Sequence, residues 1–553
     1  MSNINILIRK LAQDKYFFPI FLVGYFVVYS FSLNSIPFGD DFVYLFKNWH
    51  ITDASNPFVY WNLKSDSYKA WPLTYSIFWF LYRAFDDSYF FYRIVNLSIH
   101  FFNSWLFFKI AQSFRVRTPK LLFLIFLFHP MCFESIFWIF QLKTLLSTTF
   151  LFISLRFALK ERIDSKIIIY TFIPFFLSLY TKSVAIFFPF ILLYIWRNKK
   201  SSRLYLIPFF ILSFYVGVQN IKGITATPGN TIRVEDFYKN ENISNEGIDS
   251  TQRVINIIHE RKSYSLINKY SEYVKAYIES IDSTDVIIGK INHSITNYIF
   301  YLRSTFGLVP NWLVHKLTYS KMLVSISILF FILLLIIAVC LKTFRFSFLA
   351  SILFFIPISG FFYVPYMEFS PVAEHWFYTS LSFTLLMISN LITSKRYSQI
   401  IFTTLFFVST IALVQQSLNL RNTKDYFYKN LSYIPDSAIL YEYLIESEKR
   451  DLNFKQALVL TEEIIPITKN KYSIIKNQIY LASKMNNKDL VRKYQKNLIH
   501  FLFAVGNYQQ LHEEAKNLQR MDKDLLFIKF LLKLKDNDVS KDEIEKIKKI
   551  LFH

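Results

Sequence analysis

The sequence predicts an all-α polytopic membrane protein of about eleven transmembrane helices, followed by a soluble helical-repeat domain. Three observations carry that expectation. Of 553 residues, 53% are hydrophobic and 19% aromatic, with 62 Phe and 36 Tyr against 10 Gly, more apolar material than a soluble core needs. Apolar runs recur through residues 1–420 and are continuous rather than alternating, which excludes a transmembrane barrel. From Asp425 to the end at 553 the chain becomes a charged, Leu- and Lys-rich helical pattern with no span. Lys and Arg exceed Asp and Glu by 22, an excess that belongs first to cytoplasmic loops and lipid headgroups. No nucleic-acid motif is present. Cys132 and Cys340 sit in or beside apolar segments, so no disulfide framework is implied.

The first apolar run, 16–33, is long enough to cross a bilayer, which takes roughly 20 mainly apolar residues. It lacks a small-residue cleavage site and is expected to stay as an anchor. Arg9, Lys10 and Lys15 precede it, which places the N-terminus in the cytoplasm and Asp40-Asp41 outside. The outer loop 35–88 contains an aromatic stretch, 71–85, with Arg83 inside it. That stretch reads as a helix lying in the interface.

A second span, 89–110, ends on Lys109, Arg115, Arg117 and Lys120. A third, 121–128, reaches His129-Pro130, and the chain turns at Glu134 and descends to Arg156, Lys160, Arg162 and Lys166. Two more spans meet at Thr181-Lys182-Ser183, the second ending on Arg197, Lys199, Lys200 and Arg203. The seventh, 204–218, climbs into a polar outer loop, 220–292. Each basic cluster falls on the cytoplasmic side. Reading 293–314 as re-entrant or interfacial keeps Lys342, Arg345, Lys395 and Arg396 inside as well. Everything after Leu420 then lies outside. In 425–553, short polar turns at 451–453, 486–488, 506–508 and 536–538 break paired helices, the pattern of degenerate tetratricopeptide repeats or of a plain helical bundle.

Under this topology Asp40, Asp41, His129, Glu134, Lys182, Glu368, Glu374 and His375 share the outer rim. Singly each has a structural explanation as a cap or a snorkelling side chain. Together, carboxylates and cations gathered at one membrane face suit an anionic, lipid-linked substrate.

Four stretches resemble a known family. Phe38-Gly39-Asp40-Asp41 looks like a first-loop acidic pair. The run His129-Pro130-Met131-Cys132-Phe133-Glu134-Ser135-Ile136-Phe137-Trp138-Ile139 is similar to a His-Pro-x-x-x-Glu-Ser-Val-x-Trp-Ile signature. Tyr180-Thr181-Lys182 with Pro189 looks like a Ser/Ala-Lys motif opening a span, and Ala373-Glu374-His375-Trp376-Phe377-Tyr378 resembles Ala-Asp/Glu-Arg-Tyr-x-Tyr. With Arg93-Ile94-Val95-Asn96-Leu97, the order resembles the GT-C membrane glycosyltransferases. It is most like the tetratricopeptide-bearing branch of transmembrane protein O-mannosyltransferases and their bacterial relatives. The chain departs from the family at Leu142 and His375, where Arg is usual, at Thr144, where Asp is usual, and at Trp71-Pro72, where Arg-Pro is usual.

The resemblance implies transfer of a sugar, with inversion, from a polyprenyl-phosphate donor to an acceptor hydroxyl of a protein or glycan outside the cytoplasm. Asp40 or Asp41 is then the candidate base, a contribution typically worth about 10²–10⁴ in rate. Lys182, with Lys69, His375 or Arg303, is expected to hold the leaving phosphate. His129, Glu134 and Glu374 complete the expected substrate-binding set. No metal-ligand spacing is present, so no metal and no cofactor beyond the lipid-linked donor are expected. The repeats offer a surface for a protein acceptor, and composition points to a bacterial inner membrane with the outer loops and C-terminal domain in the periplasm. A catalytically inactive relative serving as a membrane-anchored repeat scaffold is the alternative.

Overall fold

A chain this apolar satisfies its backbone within helices, because a bilayer offers no water to bond. The computed structural model is 82% helix, with no strand among the described residues. Described are residues 14–35, 37, 41, 45, 49–61, 71–197, 204–225, 284–307, 314, 315, 317, 319–361, 370–468 and 471–504. Asp40, Lys69 and Glu368, most of the 220–292 loop and the turns at 506–508 and 536–538 lie outside the described residues.

The chain divides into two compact units, the second beginning its main segment at Phe427. In the first unit the helices are α1 (Asp14–Ser30), α2 (Pro72–Phe85), α3 (Tyr89–Ser113), α4 (Pro119–Leu127), α5 (Phe133–Phe137), α6 (Leu142–Ala158), α7 (Ser165–Thr181) and α8 (Phe188–Trp196). They continue with α9 (Ile207–Thr225), α10 (Thr284–Thr305), α11 (Lys321–Cys340), α12 (Lys342–Phe355), α13 (Glu374–Leu391) and α14 (Lys395–Asn419).

Three of these, α3, α11 and α14, are long and apolar enough to cross a membrane, and a fourth span results if the pair Pro119–Leu127 and Pro130–Phe137, bent by 51°, counts as one. The other apolar helices are shorter. Those of 17 residues, α1 and α7, rise about 26 Å, below the roughly 30 Å hydrocarbon core. The reason is local. Apolar runs are interrupted by proline and by polar junctions at the places the sequence marks, at His129-Pro130 and at Lys182, which is extended (φ −161°, ψ 140°) between α7 and the next turn.

Burial separates the helices by environment. Every residue of α13 from Glu374 to Ser389 is buried, against α4, α5, α6, α10 and α12. By contrast α11 leaves Met322, Leu329 and Val339 at least 68% exposed, an apolar surface suited to lipid. Polar groups inside the bundle bond one another. Tyr378 Oη lies 2.6 Å from His100 Nδ1 and accepts from Asn103 Nδ2 at 3.2 Å, while Asn103 Oδ1 accepts from Thr149 Oγ1 at 2.7 Å. Between α6 and α7 the hydroxyls of Ser147 and Ser178 meet at 3.0 Å, small residues that let the two backbones approach. Over the aromatic stretch at 71–85, α2 is a helix of 14 residues that is not among the candidate spans. Residues 49–61 fold onto it: Trp79 Nε1 and Arg83 Nη2 donate to the Ala54 carbonyl at 2.8 and 3.0 Å, and Ser76 Oγ donates to that of Pro57.

The second unit holds α16 (Ala438–Arg450), α17 (Phe454–Ile464), α18 (Lys471–Lys484) and α19 (Lys488–Ala504), with α15 (Thr423–Tyr433) leading into it. Successive helices pack on one another around Ala457, Leu458, Leu481, Ala482, Val491 and Tyr494. The turns α16–α17 and α18–α19 are built alike. Leu452 and Asn486 take left-handed φ values of 58° and 53°, and the next amide, Asn453 or Asn487, donates five residues back to Glu448 or Ala482. The two left-handed positions lie 34 residues apart (486 minus 452).

Candidate functional site

The candidate site is built on a run in which the chain changes conformation repeatedly. Proline at 130 holds His129 extended (φ −73°, ψ 127°), and a 3₁₀ turn over Pro130–Cys132 leads into α5. Trp138 is extended again (ψ 107°), a second 3₁₀ turn covers Ile139–Gln141, and α6 follows. Each break frees backbone groups that a helix would have paired, and side chains from distant helices take them up. Asn96 of α3 donates to the Ile136 carbonyl at 3.0 Å. The Phe140 N–H donates to Asp41 Oδ1 at 2.7 Å, both residues fully buried.

Five of the expected residues meet at this run: Asp41, Lys182, Glu134, His375 and Glu374. Asp41 caps Phe140. Lys182 Nζ donates to Thr144 Oγ1 at 2.7 Å, and Ser147 Oγ in turn donates to the Lys182 carbonyl at 2.9 Å. Glu134 holds the start of α13. Its Oε2 accepts the His375 backbone N–H at 2.9 Å, and Oε1 lies 3.0 Å from His375 Nδ1. A carboxylate at a helix N-terminus is favoured by the free amides and dipole there. Glu374, beside it, faces His315, with Oε1 3.9 Å from Nε2. His315 lies between α10 and α11; burial pushes its imidazole down to about 4, with Glu134 opposing.

Cations gather at the same place. Lys143, next to Thr144 and only 5% exposed, lies with its ammonium 3.8 Å from the centre of the Phe140 ring and 4.4 Å from that of Trp71. Both Lys143 and Lys182 are within electrostatic reach of His375. Arg93, 2% exposed, sits within reach of Asp41 and stacks on the Phe137 ring at 4.5 Å. The arrangement thus sets buried carboxylates and cations against one another around residues 134–144. Chemically, such a set can accept a proton from a hydroxyl and balance charge on a departing oxyanion.

Two expected residues do not join this cluster. His129 is engaged at both ring nitrogens: Nδ1 accepts from the Met131 N–H at 3.2 Å, and Nε2 donates to the Thr305 carbonyl at 3.1 Å. It ties the bend to the end of α10. Arg303 is exposed, while its neighbours Leu302, Ser304 and Thr305 are buried. Sequence reasoning gave no role to His315 or Arg93. A charge and an amide three residues apart in an apolar helix, Arg93 and Asn96, were a signal for the second; His315 carries none. Among the described residues no group of three or more His, Cys, Asp or Glu is placed to hold a metal ion.

No protein-family model matches the chain, nor does any curated protein or any solved structure. The likeness to GT-C enzymes therefore stands on the motif residues alone.

Proposed function

We propose that this protein is a membrane glycosyltransferase that moves a sugar from a polyprenyl-phosphate donor to an acceptor hydroxyl at the non-cytoplasmic face. The observation that carries the reading is the meeting of Asp41, Lys182 and the Glu134–His375 pair on one broken run, 134–144. An acid-and-cation set where apolar helices break is what this transfer needs. The acceptor oxygen attacks the anomeric carbon, the bond from that carbon to the phosphate oxygen breaks, and an aspartate takes the hydroxyl proton. Asp40 and Asp41 are the candidates for that base. Lys182 and Lys143 balance the phosphate as it leaves with its electron pair. Glu134, Glu374 and His375 position the sugar or acceptor.

In this reading the first unit crosses the membrane about eleven times, with the short and bent helices completing crossings that single helices do not. The second unit is a tetratricopeptide-like repeat in the periplasm of a bacterium. Its 34-residue spacing between like turns supports that assignment, since 34 is the period of such repeats. The repeats would receive a protein acceptor.

A specific observation favours a second reading, an inactive scaffold. Leu142, buried and apolar, and Trp71 occupy positions where the resembled family carries arginine. The deciding experiment supplies membranes containing the protein with radiolabelled polyprenyl-phosphate sugar. Consumption that Asp40→Asn or Asp41→Asn reduces at least tenfold supports transfer. No consumption by the wild type supports the scaffold.

A further inference from the structure

We propose that Arg93 is the positioning residue of the acidic loop, the clasp that brings Asp41 to the Phe140 amide. The proposal rests on the reading of Asp40-Asp41 as the source of the base. Arg93 lies in the first turns of α3, and its guanidinium reaches both sides of the Asp41–Phe140 contact. On one side, Nη1 donates to the carbonyls of Leu33 and Ser35, at 2.8 and 2.5 Å, in the segment that leaves α1 towards Asp41. On the other, Nε donates to the Phe137 carbonyl at 3.3 Å, three residues before Phe140, and the guanidinium plane covers the Phe137 ring.

Asn96, three residues along the same face of α3, holds the Ile136 carbonyl and so fixes the far side independently. Arg93 bonds both segments. Burial of an uncompensated guanidinium is unfavourable, and the Asp41 carboxylate is within its reach, so charge and hydrogen bonding draw the loop to one place. Nη2 has no hydrogen-bond partner among the described residues, which leaves a buried donor at the same spot. A lysine cannot do this work. Its ammonium is a point charge on a flexible stem and lacks the planar fork that serves three carbonyls and stacks on a ring.

The test is residue-resolved hydrogen exchange on the full chain in detergent, comparing wild type, Arg93→Lys and Asp41→Asn. In Arg93→Lys the amides of both Ser35 and Phe140 are expected to exchange about tenfold faster or more, while the Lys182 amide, bonded to Ser178, is unchanged. In Asp41→Asn only Phe140 should speed up. Phe137→Leu, which removes the ring and spares the carbonyl, is the milder variant should Arg93→Lys not fold. It should accelerate Phe140 in the same direction, by about threefold. Phe140 exchange within about twofold of wild type in the folded Arg93 variant, or in Phe137→Leu if that variant replaces it, overturns the proposal.

Sugar transfer is read in parallel. A misplaced base should lower kcat by about tenfold or more with the donor KM held within about twofold. An unchanged kcat alongside loosened Phe140 would overturn the role in the reaction. If wild type transfers no sugar, the glycosyltransferase reading fails, and the exchange data alone decide whether Arg93 places the loop.

Discussion

Asp41 Oδ1 accepts the backbone N–H of Phe140 at 2.7 Å, joining positions 99 residues apart in sequence. Asp41 is buried and bonded to main chain, so its removal should act on the fold as well as on any reaction. Asp41→Ala is expected to lower stability by about 1–3 kcal/mol, because it leaves the Phe140 amide unpaired. Asp41→Asn, which keeps an acceptor oxygen, should lower it less. Asp40→Asn, with Asp40-Asp41 read as the source of the base, is expected to reduce sugar transfer by about tenfold or more. Melting in detergent beside transfer in membranes checks all three, and an unchanged Tm in Asp41→Ala would refute the structural role of Asp41.

Lys182 and Thr144 make a second prediction. At that contact the ammonium donates to a neutral hydroxyl, and the leaving phosphate is expected beside it. Lys182→Met should lower kcat/KM by about tenfold to a hundredfold, the usual worth of a hydrogen bond to a charged group. Thr144→Asp gives the ammonium a carboxylate and should raise the donor KM in the same direction. An improved donor KM in Thr144→Asp would reverse the assignment.

His315 predicts a pH dependence of stability. Its imidazole is held down at about 4 when folded, against about 6.5 for a free histidine, because it is buried. Between those values the unfolded chain holds the extra proton, so stability rises with pH across that window and is lost as pH falls through it. The groups facing it are Glu374 at 3.9 Å and Glu134, whose negative charge opposes the shift. His315→Gln should flatten the fall in Tm between pH 6.5 and 4, measured against wild type in the same detergent. An unaltered slope would show that another group titrates.

In the second unit, Leu452 occupies a left-handed turn (φ 58°) with its side chain 72% exposed. A branched side chain is strained there, and little packing is lost by removing it. Leu452→Gly is therefore expected to raise the stability of that unit by up to about 1 kcal/mol in urea unfolding. A fall in stability would mean that the leucine side chain contributes packing to the unit.

Much of this architecture can be read in the sequence, and the limits are physical. Helicity follows from continuous apolar runs, and the turns at 451–453 and 486–488 follow from their polar residues. The breaks at His129-Pro130 and at Lys182 were legible from proline and charge, but hydropathy does not register the short lengths of the helices beside them. Among candidate site residues, Asp41, Glu134, Lys182, Glu374 and His375 could be picked out as charges in apolar surroundings. What each touches could not. Asp41 binds a main-chain amide, and Glu134 binds that of His375, and backbone atoms leave no side-chain signature. His129 resembled a ligand residue by its motif, yet its partners are two backbone groups that only the folded bend supplies.

Run 129–141 has a last implication. Many of the contacts that shape it end on peptide groups: those of Ile136, Phe137 and Phe140 meet Asn96, Arg93 and Asp41. A scaffold defined by main chain keeps its contour when side chains around it are exchanged. Exchange of side chains around this run, even at charged positions, therefore leaves its backbone path in place.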